Sequence, residues 1–253
     1  MSNPRELAER SEQGALLPEG ADERFAGYGV MGLPFSSGHV LGLRRFPASS
    51  VGPGYTSVWY RDPEGRWTFY STAAPLKGCD RYFGSAINVV EHRDILIDWT
   101  EPWSFTVTIG DGTLRWEVAL VSTPATRAMN AVAGLIPDRF WRQSPVLSMM
   151  EASAGRLLRA GRVGLQGRMP NGQWFMANPR LIWFIPESAA VVRGEDLGSV
   201  GSTPEQARLG DFWIPQRGIF AVGTSFFQPF DPTLHLAITS QTRELDNHHQ
   251  HMP

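Results

Sequence analysis

From Trp103 to Leu120 the side chains alternate in character residue by residue. In WSFTVTI, Trp103, Phe105, Val107 and Ile109 fall on one side, and Ser104, Thr106 and Thr108 fall on the other. In TLRWEVAL, Leu114, Trp116, Val118 and Leu120 share a side opposite Arg115 and Glu117, and Gly110-Asp111-Gly112 supplies the connection. A period of two places each apolar set on one face of a strand, whereas a helix would scatter it around its axis. The pattern therefore demands antiparallel sheet with one buried face.

Other segments extend the sheet. HVLGLRRF (His39 to Phe46) reads as a first strand, and Pro47 to Gly54 reads as a loop. Tyr55 to Arg61 and Arg66 to Ser71 flank Asp62-Pro63-Glu64-Gly65, whose Pro and Gly suit a type I turn, so a hairpin is predicted. A second pair is expected at Gly84 to Val90 and Ile95 to Trp99, joined by Glu91 to Asp94. The period changes at Ser122. Thr123-Pro124 and Ser144-Pro145 are helix starts. Ala125, Ala128, Met129, Val132 and Ile136 form one apolar stripe, and Leu147, Met150, Ala154, Leu157 and Leu158 form another, with Gly161 as a stop. Strands are expected again at Arg162 to Arg168, in QWFMA and RLIWFI, at Ser188 to Arg193, in FWIPQRGIFAVGTSFF and in LHLAIT, with one short helix near Thr203 to Gln206. The chain divides into an N-terminal arm (1–30), a first β domain (31–122), a helical pair (123–161), a second β region packed on the first (162–241) and a disordered tail (242–253). The fold class expected is mainly β, with antiparallel strands forming one or two barrels or curved sheets and a two-helix insert in the middle.

Composition narrows the function classes. Of the 253 residues 42% are hydrophobic and 19% charged, which supplies a core and disfavours disorder. A net charge of -2 creates no general attraction to phosphate backbones, and no nucleic-acid motif stands in the sequence, so no nucleic-acid partner is expected. Cys79 is the single cysteine, which excludes an intrachain disulfide and suits a reducing cytoplasm. Met1 to Arg24 is polar and mixed in charge, unlike a signal peptide. No apolar run approaches the roughly 20 residues of a membrane span, and a cytoplasmic location is expected.

No P-loop, dinucleotide fingerprint, zinc-protease helix, EF-hand loop or Gly-x-Ser-x-Gly is present, and no cofactor is implied. His39, His92 and His235 sit at no ligand spacing, so no metal is expected in the fold; the tail histidines His248, His249 and His251 suit adventitious binding only. Two kinds of chemistry fit the remaining polar residues. Lys77, the single lysine, lies in AAPLKGCDRYFG, and a lysine walled by apolar groups can form a Schiff base with a ketone, giving a decarboxylase or aldolase. Alternatively Asp80, Tyr82, Asp98 and Glu117 are candidates for acid–base work, with Arg81 orienting the polar end of a substrate. The rings form a third signal. Nine tryptophans, fourteen phenylalanines and five tyrosines, set in Gly-containing strands able to curve, favour a lined cavity. Tyr60, Tyr70, Trp99, Trp103 and Trp116 are its candidate wall.

The stretches GYTSVWYRDPEGRWTFYS, ILIDWTEPWSFTVTI and TLRWEVAL resemble the lipocalin-like proteins of the hydroxyneurosporene synthase and AttH type. The resemblance implies one or two lipocalin-like barrels and a lipophilic ligand. It brings no catalytic motif that maps onto residues here. The leading expectation is a lipid-binding protein that holds, and as an extension converts, a small lipophilic molecule in a β-lined aromatic pocket. The alternatives are the Lys77 enzyme and a non-enzymatic protein-interaction module.

Overall fold

A computed structural model describes residues 3–235. Asn3 caps α1 (Pro4–Gly14), its side chain accepting from the Glu6 amide at 2.9 Å. Four strands follow as an antiparallel meander: β1 (Glu23–Pro34), β2 (Val40–Ser49), β3 (Tyr55–Arg61) and β4 (Trp67–Ser71). After a short helix, α2 (Asp80–Phe83), comes β5 (Val89–His92), parallel to β4. A second meander contains β6 (Ile95–Glu101), β7 (Ser104–Ile109) and β8 (Leu114–Val121). The two-helix insert is α3 (Pro124–Leu135) and α4 (Ser144–Leu157). The chain continues through β9 (Gln166–Arg168), β10 (Trp174–Val192), β11 (Glu195–Asp196), β12 (Arg208–Leu209), β13 (Phe212–Trp213) and β14 (Gly218–Phe227).

Strands from before and after the helical pair share one sheet, in the order β5-β4-β3-β2-β1-β14-β10-β8-β7-β6. Its two flanks contribute to a single core: Val58 and Tyr70 from one side meet Phe105, Val107 and Trp116 from the other. The sheet is therefore curled around that core, as a half-barrel. Arg193, just beyond β10, reaches Glu91 of β5 at 2.6 Å, which draws distant strands together. The chain is mainly β, with an antiparallel curved sheet and the helical insert that the periodicities predict. No helix among the described residues is long and apolar enough to cross a membrane.

Helix α1 covers part of the concave core. Ala8 is buried there, Leu7 packs beside it, and Glu12 accepts from Tyr28 Oη at 2.9 Å and from both Nε and Nη2 of Arg45 at 2.8 and 2.5 Å. The convex face carries two further clusters. One is aromatic, built on Phe25, Tyr55, Trp59 and Phe69 and covered by α2 and β13. The other lies under α3 and α4, where Met129, Leu147, Met150 and Ala154 meet Met31, Ile182 and Ile219.

Several expected elements are placed differently. Residues 23–30, expected in an irregular arm, begin β1, a central strand, because the Phe25-to-Val30 run packs on both faces of the sheet. The expected pairing of Gly84–Val90 with Ile95–Trp99 does not form. The polar link between them carries the chain away, so β5 joins β4 and β6 joins β7. QWFMA, RLIWFI and Ala189–Val192 fuse into the 19-residue β10. Register shifts at Pro179/Leu181 and Phe184/Glu187 bend it so that it serves β14 and β8 in turn. Arg162–Arg168 supplies only the three residues of β9. Near Thr203, no helix forms because Thr203 and Gln216 hold each other by reciprocal bonds. Residues 236–241 of the LHLAIT region and the 242–253 tail lie outside the described residues.

Candidate functional site

Where β1, β14 and β10 run side by side, small side chains form a floor on the convex face between larger ones. The paired rows are Phe25–Ser225–Ala177, Gly27–Gly223–Pro179 and Gly29–Ala221–Ile182. Close approach of the strands enforces the smallest residues. A Cβ on Gly29 would lie 2.0 Å from the Leu43 carbonyl oxygen, and one on Gly223 would lie 2.0 Å from that of Asn178. Taller residues stand around this floor: Arg44 and Phe46 of β2 with Phe212 of β13 on one side, and Met31 on the other. The result is a hollow of about 70 Å³ between the aromatic cluster and the helical layer.

Arg44 is the charged wall, and Thr224, Ser225 and Asn178, whose buried Oδ1 has no hydrogen-bond partner among the described residues, add polar lining. The presence of Arg44 follows from a defect in the ladder: the register between β1 and β2 is irregular from Tyr28 to Leu33, so β1 carbonyls there lack their ordinary partners. Nη1 of Arg44 donates to Val30 O at 2.5 Å and to Leu43 O at 2.8 Å, and Nη2 donates to Met31 O at 3.1 Å. The guanidinium carbon lies 4.3 Å from the centre of the Trp59 ring and 5.4 Å from that of Phe212. These contacts use three of the five N–H hydrogens. Nε–H and the second Nη2 hydrogen have no acceptor among the described residues. The group therefore keeps unused N–H donors for a further acceptor.

The charge of Arg44 is also unmatched. None of the ion pairs among the described residues includes it. Burial pulls its pKa down to about 10, so it is still a cation at neutral pH. Its polar neighbours stay neutral there. Tyr55 Oη and Cys79 Sγ are 3.0 Å apart and buried. Burial raises the thiol to about 11 and holds the phenol well above its ordinary value. A cation without a counter-ion, beside aromatic rings and with unused N–H donors, is suited to an anionic ligand such as a carboxylate.

The structure does not bring the sequence-derived candidates together at this hollow. Asp80 is buried in α2, where Oδ2 accepts the Leu76 amide at 2.7 Å; burial pushes its pKa up against the lowering effect of these backbone bonds. Tyr82 Oη donates to Glu23 at 2.7 Å while its ring stacks on Phe227 at 3.8 Å. Arg81 binds the other oxygen of Glu23 at 2.6 Å, so its charge is already matched. Asp98 is exposed on β6, and Glu117 is exposed on β8 beside Arg115. Lys77 is exposed, its stem over Gly52, without the apolar enclosure a Schiff-base amine needs. Tyr70 and Trp116 are in the concave core, and Trp116 Nε1 donates to Ser188 Oγ at 2.9 Å. Trp99 packs on Phe105 with centroids 4.8 Å apart, and Trp103 is exposed in the β6–β7 turn.

Tyr60 lines a different, polar cleft of about 560 Å³ at the mouth of the half-barrel, where it stacks on the buried His39. His39 Nδ1 is 2.9 Å from Ser37 Oγ, and Nε2 is 3.7 Å from Glu195. This has the composition of a hydrolase triad but not its proton order. The Ser37 hydroxyl donates to Leu197 O at 2.7 Å, so its oxygen accepts from the imidazole and its proton is directed away from the base. Among the described residues, no three His, Cys, Asp or Glu side chains converge as a metal site.

Arg44 was detectable by one signal in the sequence. Adjacent residues on a strand face opposite sides, so Arg44-Arg45 in HVLGLRRF must send one guanidinium to each face of a covered sheet.

No protein-family model and no curated protein matches this chain. A crystal structure of acetoacetate decarboxylase from Legionella pneumophila is similar over 87% of this chain and 89% of that one, at 11% identity and a TM-score of 0.36. A likeness this loose carries no inference from one site to the other.

Proposed function

We propose that this protein binds a small, largely apolar molecule ending in a carboxylate, held head-first on Arg44. The observation that carries the reading is a half-buried guanidinium without a carboxylate partner, with N–H donors unused, that lines a mostly apolar hollow. Walls of Phe46, Phe212, Met31 and Ala221 suit a lipophilic body, which is also the ligand class that a lipocalin-like resemblance implies. Binding is favoured over conversion. Among the titratable groups that neighbour Arg44, Tyr55 and Cys79 keep their protons at neutral pH, and Lys77 is exposed without apolar enclosure.

Titration calorimetry with butyrate, benzoate and their amides tests this. The carboxylates should bind at least about tenfold more tightly than the amides, the equivalent of about 1.4 kcal/mol for one charge-assisted contact. Arg44→Met should abolish the difference. Ala177→Leu, which keeps Arg44 and fills the floor, should weaken both ligands. Equal affinity for acid and amide would overturn the reading.

A further inference from the structure

Beyond the Arg44 hollow, on the far side of Met31, lies a second and smaller hollow of about 20 Å³ between the sheet and the helical layer. The two share Met31 and Pro179 as lining residues, so they adjoin there. The second space is apolar, walled by Met129, Met150, Ala154, Leu158 and Ile182. Its one amide side chain is held on the sheet backbone: Asn130 Nδ2 donates to Ile182 O at 3.0 Å, and Asn130 Oδ1 accepts from the Ile182 amide at 2.9 Å. Most of its wall therefore favours an apolar occupant. Three of the walls, Met31 included, are methionines, whose unbranched thioethers move between rotamers at low cost and fill or vacate irregular space.

We infer that the ligand is an unbranched aliphatic carboxylate whose chain runs from Arg44 beneath Met31 toward α3 and α4, and that Met31 sets the chain length. This rests on the proposed carboxylate site and specifies its substrate class. A straight chain follows because the two hollows meet at the rigid Pro179 ring and the flexible Met31 side chain. A linear segment passes by displacing Met31, whereas a branched or ring-bearing body must displace sheet backbone as well. Met31 is largely buried at that junction, being only 9% exposed.

The test uses the full chain with methyl-labelled methionine, titrated with acetate, butyrate, hexanoate, octanoate and decanoate, and with pivalate as the branched control. Affinity should rise by about fourfold per added methylene until the chain fills both hollows, the increment expected for burying one methylene. The longer acids should shift the methyl signals of Met129 and Met150, and acetate and pivalate should leave them in place. Met31→Ala should move the optimum to a longer acid. Should that variant fail to fold, the wild-type methyl signals decide alone. The inference is overturned if acids bind through Arg44 with affinities indifferent to chain length, or with Met129 and Met150 unmoved. If no acid binds, or if binding survives Arg44→Met, it is the carboxylate site itself that fails, and the inference fails with it.

Discussion

Arg44 and Arg45 are neighbours on β2, and their guanidinium groups end on opposite faces of the sheet. Arg45 is clamped by Glu12 on the concave side, and Arg44 lies over Trp59 on the convex side with no carboxylate. The two share charge and backbone but differ in what meets the charge. Arg45 holds α1 to the sheet, and Arg44 leaves part of its hydrogen-bonding capacity open.

The Glu12 clamp should make α1 docking sensitive to acid. Burial raises the Glu12 pKa, but the bonds from Arg45 and Tyr28 outweigh it and the net shift is downward. A carboxylate lowered in the folded state adds stability that is complete above its unfolded value, about 4.3, and is lost as pH falls through the lower folded value. Hydrogen exchange of the α1 amides should accelerate over that window. Glu12→Gln should flatten the pH dependence and cost about 1 kcal/mol at neutral pH, a modest figure because the pair is partly exposed.

Cys79 should be inert to thiol reagents in the native protein. With the thiol raised to about 11 and packed against Tyr55, almost no thiolate exists near pH 7. Labelling should therefore track global unfolding in urea, with one midpoint shared by tryptophan fluorescence. Fast labelling in buffer would show that the Arg44 neighbourhood opens locally.

Much of the fold was readable in the sequence and much of the site was not. Period-two alternation in β7 and β8 and the Thr-Pro and Ser-Pro starts of α3 and α4 are local signals, and the structure follows them. β1 gave no such signal, because FAGYGVMGL is buried on both faces and so carries no alternation. Likewise, nothing local records that β14 inserts between β1 and β10. The hollow depends on that insertion, since its floor joins glycines and alanines from three strands far apart in the chain. Lys77 stood out by rarity and Asp80, Arg81 and Tyr82 by their mix of functional groups, which are properties of composition and not of enclosure.

The α3 cap provides a check on the helical layer. Thr123 accepts the Thr126 amide, and Thr126 Oγ1 accepts the Thr123 amide. Thr123→Ala should cost about 1 kcal/mol in urea unfolding without altering ligand affinity. A large loss of affinity would mean that the helical layer governs the Arg44 hollow more directly than its contacts indicate.

Arg44 should also matter to folding. Replacing it by Met strands the carbonyls of Val30, Met31 and Leu43, a loss of about 2–3 kcal/mol by urea denaturation. Arg44→Lys should recover part of the stability, since an ammonium can satisfy some of the carbonyls. It should not recover acid-over-amide selectivity, which needs the planar fork.

The most direct measurement is the Nε–H resonance of Arg44 in arginine-labelled protein during titration with butyrate. A saturable downfield proton shift of that signal, with the Arg45 signal unchanged, is the predicted result. An Arg44 signal that stays in place while butyrate binds, or that is unaffected because butyrate does not bind at all, would contradict the account.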